Sequence, residues 1–131
     1  MIQRPEYLNF LEEWKDQQII KVVTGIRRCG KSTIFQLFRE KLLSEDILPE
    51  QIISLNFEDA DNESLCNYKT LYKYVKSRML EDRMNYIFLD EIQHVNQFEK
   101  AVDSLFIKKN TDVYITGSNA YFMSGELATL L

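Results

Sequence analysis

The sequence predicts an α/β fold in three layers, a sandwich whose mainly parallel sheet of four strands lies between helices. Two observations predict it. Short apolar runs of strand length alternate with amphipathic helical stretches along the chain, a pattern that implies right-handed crossovers between parallel strands. Polar or glycine-bearing stretches follow each strand, at residues 25–32, 56–59, 90–91 and 117–119. In such a sheet these four stretches converge on the carboxyl edge of the strands, where ligands bind. The size agrees: 131 residues, 45% of them hydrophobic and 27% charged, suit one domain with a core of its own.

The elements follow in order. Residues 5–15 predict a first helix, with Pro5 at its opening position and Tyr7, Leu8, Leu11 and Trp14 on one face. Residues 19–24 form a β-branched run that ends at Gly25. A helix starts near Lys31 and carries Ile34, Leu37, Phe38 and Leu42 on one stripe. Residues 51–57 read as the second strand and 58–63 as an acidic loop. Residues 65–83 read as one helix, with Leu65, Tyr68, Leu71, Tyr72, Val75 and Met79 in register. Tyr86 to Leu89 is a wholly apolar strand that runs into Asp90 and Glu91. Residues 97–109 predict a helix with Phe98, Val102, Leu105 and Phe106 inward. Lys108, Lys109 and Asn110 close it, the cations facing the dipole and Asn110 suited to a left-handed turn. Val113 to Thr116 is the fourth strand, and residues 124–131 could open a further helix.

Composition excludes several classes. No apolar run approaches the 18 residues of a membrane-spanning helix. The first six residues hold no apolar signal core, so the expected compartment is the cytoplasm and no membrane partner is expected. A net charge of −4 argues against a broad nucleic-acid surface. Cys29, Cys66 and His94, the only cysteines and histidine, cannot build a four-ligand zinc site without carboxylates.

Residues 25–32, Gly-Ile-Arg-Arg-Cys-Gly-Lys-Ser, satisfy G-x-x-x-x-G-K-[ST] at every fixed position. A polyphosphate is held by several convergent backbone N–H groups, and glycines let the chain curl closely around it. The helix that follows adds the positive end of its dipole. Lys31 would neutralise the β- and γ-phosphates and Ser32 would offer its hydroxyl to Mg²⁺. Gly25, Ile26, Arg27, Arg28, Cys29, Gly30, Lys31, Ser32 and Thr33 are therefore the expected nucleotide-binding residues. Asp90 lies 59 residues beyond Lys31, with Glu91 next to it, which leaves room for a strand and two helices. Asp90 emerges where Ser32 should hold the metal, and a carboxylate is the hard ligand Mg²⁺ prefers. Glu91 is placed to orient or deprotonate the attacking water.

Together the Gly25–Ser32 loop, the Asp90-Glu91 pair and the run Val113-Tyr114-Ile115-Thr116-Gly117-Ser118-Asn119 resemble the AAA+ superfamily of P-loop ATPases. More narrowly, the loop, Leu89-Asp90-Glu91-Ile92-Gln93 and Ile115 to Ala120 resemble prokaryotic AAA+-like ATPases that carry a further C-terminal domain. The resemblance covers residues 4–131 and implies Mg²⁺-dependent ATP binding and hydrolysis. It makes Asn119, with Ser118 second, the residue that senses the γ-phosphate, and Asn56 the one that restrains the catalytic glutamate. It places an adenine contact near Arg4 and Pro5, where a plain helix start is an equal reading. The absence of an N-K-x-D motif agrees with ATP rather than GTP.

The resemblance also implies a sheet order of 5-1-4-3-2. Family members continue past residues 124–131 into a fifth strand, and no arginine-finger or lid candidate follows Asn119. Such a finger supplies on the order of 10³ to 10⁵ in rate. The expectation is thus an ATP-binding core over residues 1–131 that turns over little by itself. Its first strand, lacking strand 5, would be an apolar edge open to self-association. The client, protein or nucleic acid, is not legible. A nucleotide-dependent switch and a P-loop small-molecule kinase are the other readings; Asp90-Glu91 argues against the kinase, because a glutamate beside the metal ligand suits water as nucleophile.

The remaining residues have plainer readings. Cys29 reads first as a small residue that fits the loop and second as a low-pKa thiol. Arg27 and Arg28 read as loop cations as readily as phosphate contacts. His94 reads as a surface residue, and Gln93 is the better candidate for a polar role near the site. Tyr68, Tyr72 and Tyr74 read as core packing plus one exposed ring rather than a base-stacking platform.

Overall fold

The computed structural model describes residues 11–16, 19–23 and 31–117, and for residues 31–33 the helical backbone alone. Four strands, β1 (Lys21–Val23), β2 (Ile52–Asn56), β3 (Asn85–Asp90) and β4 (Thr111–Thr116), form one sheet in the order β1-β4-β3-β2. Every pairing is parallel, so the sheet is the 1-4-3-2 part of the expected order. Helices α1 (Lys31–Ser44), α2 (Tyr68–Arg78) and α3 (Phe98–Phe106) connect or cover it. Residues 11–14 are also helical. The rest of the expected first helix, Thr24, the loop from Gly25 to Gly30 and everything after Gly117 lie outside the described residues.

The two-residue period of the strands makes the three layers. Ile87, Leu89, Val113, Ile115 and Val22 point to one face, where they meet Leu71 and Val75 of α2 and Ala101, Val102 and Leu105 of α3. Tyr86, Phe88, Tyr114 and Val23 point to the other, against Leu11 and against Ile34, Phe35, Phe38 and Leu42 of α1. β3 is buried along its whole length, whereas β2, at the sheet edge, leaves Ser54 exposed. This is why β3 reads as an unbroken apolar run.

An aromatic cluster seats α1 on the sheet. Phe88 and Tyr114 stack with centroids 4.8 Å apart and planes 14° apart, while Phe35 meets Phe88 edge-on at 5.1 Å and Phe38 lies 5.4 Å from Tyr114. Such pairs contribute about 0.5–1.5 kcal/mol each beyond their area burial. The stripe on α1 is wider than the expected one, with Phe35 buried and Leu37 only half-buried.

Local capping moves several boundaries. Residues 65–83 are not one helix. Ala60–Leu65 is a 3₁₀ segment capped by the Asp59 side chain, and α2 begins only after Asn67, whose side chain accepts from the Lys69 N–H at 2.9 Å. An Asx cap here outweighs the helical periodicity on either side. α3 ends at Phe106, three residues before the expected stop, and Asn110 is not left-handed. Its side-chain amide instead donates to Leu80 O at 2.9 Å, joining Asn85 in closing the turn before β3. Tyr68, Tyr72 and Tyr74 pack half-buried against the core, none of them the expected exposed ring, and each carries a cation over its ring: Lys100, Lys108 and Arg78 at 4.8–5.5 Å.

β1 stands at one edge of the described sheet. An apolar edge is expected there, yet Lys21, Val22 and Val23 are all buried. Any further pairing at this edge would run through main chain.

Candidate functional site

Because all four strands run the same way, their carboxyl ends share one edge. β2 ends at Asn56 and β3 at Asp90, which are register partners, and β4 ends at Thr116. The Phe57 N–H donates to Asp90 O at 3.0 Å, extending the ladder by one bond. α1 opens with Lys31, Ser32 and Thr33. Their side chains, the loop Gly25, Ile26, Arg27, Arg28, Cys29 and Gly30, and Ser118 and Asn119 lie outside what is described.

Asp90 and Glu91 are 6% and 8% exposed, so two adjacent acids are buried at this edge. One hydroxyl holds both. Thr116 Oγ1 donates to Asp90 Oδ1 and accepts from the Glu91 N–H at 2.9 Å. Glu91 takes the left-handed conformation, φ 59° and ψ 53°. A non-glycine residue held there costs of order 1–3 kcal/mol and persists only where its surroundings fix it. The bonds from Thr116, together with the 3₁₀ turn Ile92–His94 that starts at once, do so here.

The Glu91 carboxylate accepts from Gln93 Nε2 at 2.8 Å, while Gln93 Oε1 is buried with no hydrogen-bond partner. Asn56, the residue expected to restrain the glutamate, is engaged elsewhere: its Oδ1 accepts from the Glu58 N–H at 2.9 Å in an Asx turn. The amide on Glu91 thus comes from its own turn. His94 is exposed, as expected, but its imidazole stands with the carboxylates of Glu58 and Glu91, their ligand atoms within 4.8 Å of one another.

Arg39 adds a cation that the sequence reading missed. It lies on α1, eight residues after Lys31, about two helical turns, with its guanidinium 5.9 Å from the Phe88 ring centroid. Burial lowers its pKa from the ordinary arginine value, while the charges of Asp90 and then Glu40 work the other way. α1 therefore carries a positive charge within the field of Asp90. Helical spacing from Lys31 was the available signal.

Thr116 was missed as well. The signal was a hydroxyl closing a strand that is otherwise apolar from Val113 to Ile115. A cavity of about 480 Å³ lined by residues such as Ile52, Ser54, Tyr74 and Arg78 lies along β2 and α2, away from the acid pair.

Asp90 offers hard carboxylate oxygens, buried and oriented, at the edge where α1 begins. That donor chemistry fits Mg²⁺, which takes oxygen ligands and binds through one or two carboxylates plus phosphates.

A family model described as an AAA domain matches residues 17–131. The whole chain is 40% identical, over 132 aligned residues, to an uncharacterized protein of Haemophilus influenzae, and covers 33% of that protein. It is 33% identical over 86% of its length to the uncharacterized protein MJ1544 of Methanocaldococcus jannaschii, and covers 24% of it. The chain thus spans a third or less of the length of the curated relatives it matches. No helix among the described residues is long and apolar enough to cross a membrane.

Proposed function

This chain belongs to the AAA domain family of P-loop ATPases, and from that premise we propose that it binds Mg·ATP at the carboxyl edge of its sheet and that the whole protein hydrolyses it. The observation that carries the reading is the pair of buried acids at the end of β3, beside the strand that Thr116 closes and on the same edge as the start of α1.

In this reading Gly25 to Gly30 wrap the phosphates with main-chain N–H groups, and Lys31 places its ammonium on the β- and γ-phosphates. Thr33, next in the helix, completes the binding segment. Ser32 and Asp90 would hold Mg²⁺, which when bound neutralises phosphate charge. Glu91 orients the attacking water and accepts its proton, and Glu58 and His94 stand close enough to its carboxylate to pass that proton on. Asn119 contacts the γ-phosphate. Gln93 fixes the direction of the Glu91 carboxylate before nucleotide arrives. In this reading copies of the chain associate through the main-chain edge of β1; light scattering at high concentration tests it.

Thermal unfolding with and without Mg·ATP tests the proposal. A ligand at 100 times its Kd stabilises the native state by about 2.7 kcal/mol. The expected result is an upward shift that needs Mg²⁺ and vanishes in Lys31→Ala. Equal unfolding temperatures with and without Mg·ATP at millimolar concentration would overturn it.

A further inference from the structure

Thr116 is fully buried at the end of β4, a position where valine would keep the same shape and favour a strand as well. A hydroxyl without exposure is retained where both its donor and its acceptor capacities are used. Here both are used, and on adjacent residues of another strand. The single O–H goes to Asp90 Oδ1, and the oxygen accepts from the Glu91 N–H at 2.9 Å.

This arrangement has a geometric consequence. A carboxylate is planar, so fixing one oxygen fixes the direction of the other. Thr116 thus orients the Asp90 carboxylate from β4, across the sheet. The same oxygen anchors the peptide that turns Glu91 into the left-handed region, which determines where the Glu91 side chain leaves the backbone. One hydroxyl thus sets the relative orientation of the two acids.

We infer that Thr116 is the positioning residue of this site, coupling the orientation of Asp90 toward a divalent cation to the backbone turn that presents Glu91. The inference rests on reading Asp90 and Glu91 as the metal and water acids.

The test compares wild type with Thr116→Val, which keeps shape and loses the hydroxyl, and Thr116→Ser, which keeps the hydroxyl. Two quantities are measured. The first is hydrogen exchange of the Glu91 amide in protein free of metal and nucleotide. The second is the ratio of ATP dissociation constants without and with Mg²⁺, which general destabilisation would not move. In Thr116→Val the amide should exchange about tenfold faster, the scale of one lost hydrogen bond, and the Mg²⁺-dependent gain in affinity should fall by about tenfold. Thr116→Ser should stay within about threefold of wild type in both.

If the valine variant keeps protection or keeps the Mg²⁺ gain, the inference is wrong. If serine behaves like valine, the hydroxyl is not the carrier and the inference is wrong again. Should valine fail to fold, Thr116→Ala removes the same hydroxyl and takes its place. A wild type with no Mg²⁺ gain would instead overturn the reading of the acids, while the exchange measurement still reports what Thr116 holds.

Discussion

The sheet buries acids at both ends, and the two ends treat them differently. At the amino end Asp112 is closed into a network. Lys21 Nζ reaches one carboxylate oxygen, and Tyr114 OH and the Asp16 N–H both donate to the other at 2.8 Å. Tyr86 OH adds a bond to Asp16 Oδ1 at 2.8 Å. Burial lowers the Lys21 ammonium and raises the Asp112 carboxyl, and the attraction between them works against both shifts. At the carboxyl end the Thr116 hydroxyl meets Asp90 and the Gln93 amide meets Glu91, groups that orient a carboxylate. The first arrangement fixes β1 and the chain around Asp16 onto β4 and β3. The second keeps carboxylate charge in a defined direction, as binding a cation requires.

The largest expected effect breaks the amino end. Asp112→Ala takes from buried Lys21 the carboxylate it is bonded to and should destabilise the fold by about 3–5 kcal/mol in urea unfolding. Its pH dependence sharpens the assignment. A lysine whose folded pKa is depressed contributes stability that is present above its unfolded value of 10.5 and lost as pH falls through the folded value. Removing Asp112 takes away the attraction that opposes this depression. The variant should therefore recover stability relative to wild type as pH rises toward 10.5, the unfolded value. A loss independent of pH would mean that Lys21 is not held charged by Asp112.

The same operation at the carboxyl end should have the opposite character. Asp90→Asn keeps an oxygen for the Thr116 hydroxyl, so unfolding without ligand should change by no more than about 1 kcal/mol. The stabilisation by Mg·ATP, about 2.7 kcal/mol at 100 times Kd, should be lost. If Asp90→Asn instead unfolds as readily as Asp112→Ala, the two ends are alike and the functional contrast fails.

Much of this was legible in the sequence, for identifiable reasons. The layers follow from apolar runs at Tyr86–Leu89 and Val113–Thr116 and from the stripe on α1, all of which depend on short-range periodicity. The acid pair was legible because it ends an apolar strand at a set distance from the phosphate loop. The features that remained hidden are contacts across the chain or competitions within it. Thr116 meets Asp90 across 26 residues and Lys21 meets Asp112 across 91, and no local pattern reports either pairing. Asn67 was misread because its Asx hydrogen bond competes with the helical pattern around it. The left-handed turn at Glu91 is imposed by its neighbours, since glutamate itself disfavours it.

That turn gives the smallest and most discriminating comparison. Among the described residues Glu91 and Gln97 are left-handed at nearly the same angles, φ 59° and φ 58°. Gln97 is exposed and precedes α3, with no side-chain cap bond, so Gln97→Gly should simply relieve backbone strain and raise stability by about 1 kcal/mol. Glu91→Gly relieves the same strain and also removes a buried carboxylate, and it should stabilise the ligand-free fold by about as much. The two substitutions should part in function alone. Hydrolysis by the full-length protein should survive Gln97→Gly and disappear in Glu91→Gly, with Mg·ATP still stabilising both. A glycine at 91 that lowers stability would show that Glu91 is there to hold the turn together. A glycine that raises it would show strain retained at a position where only the carboxylate's chemistry gives a reason to keep it.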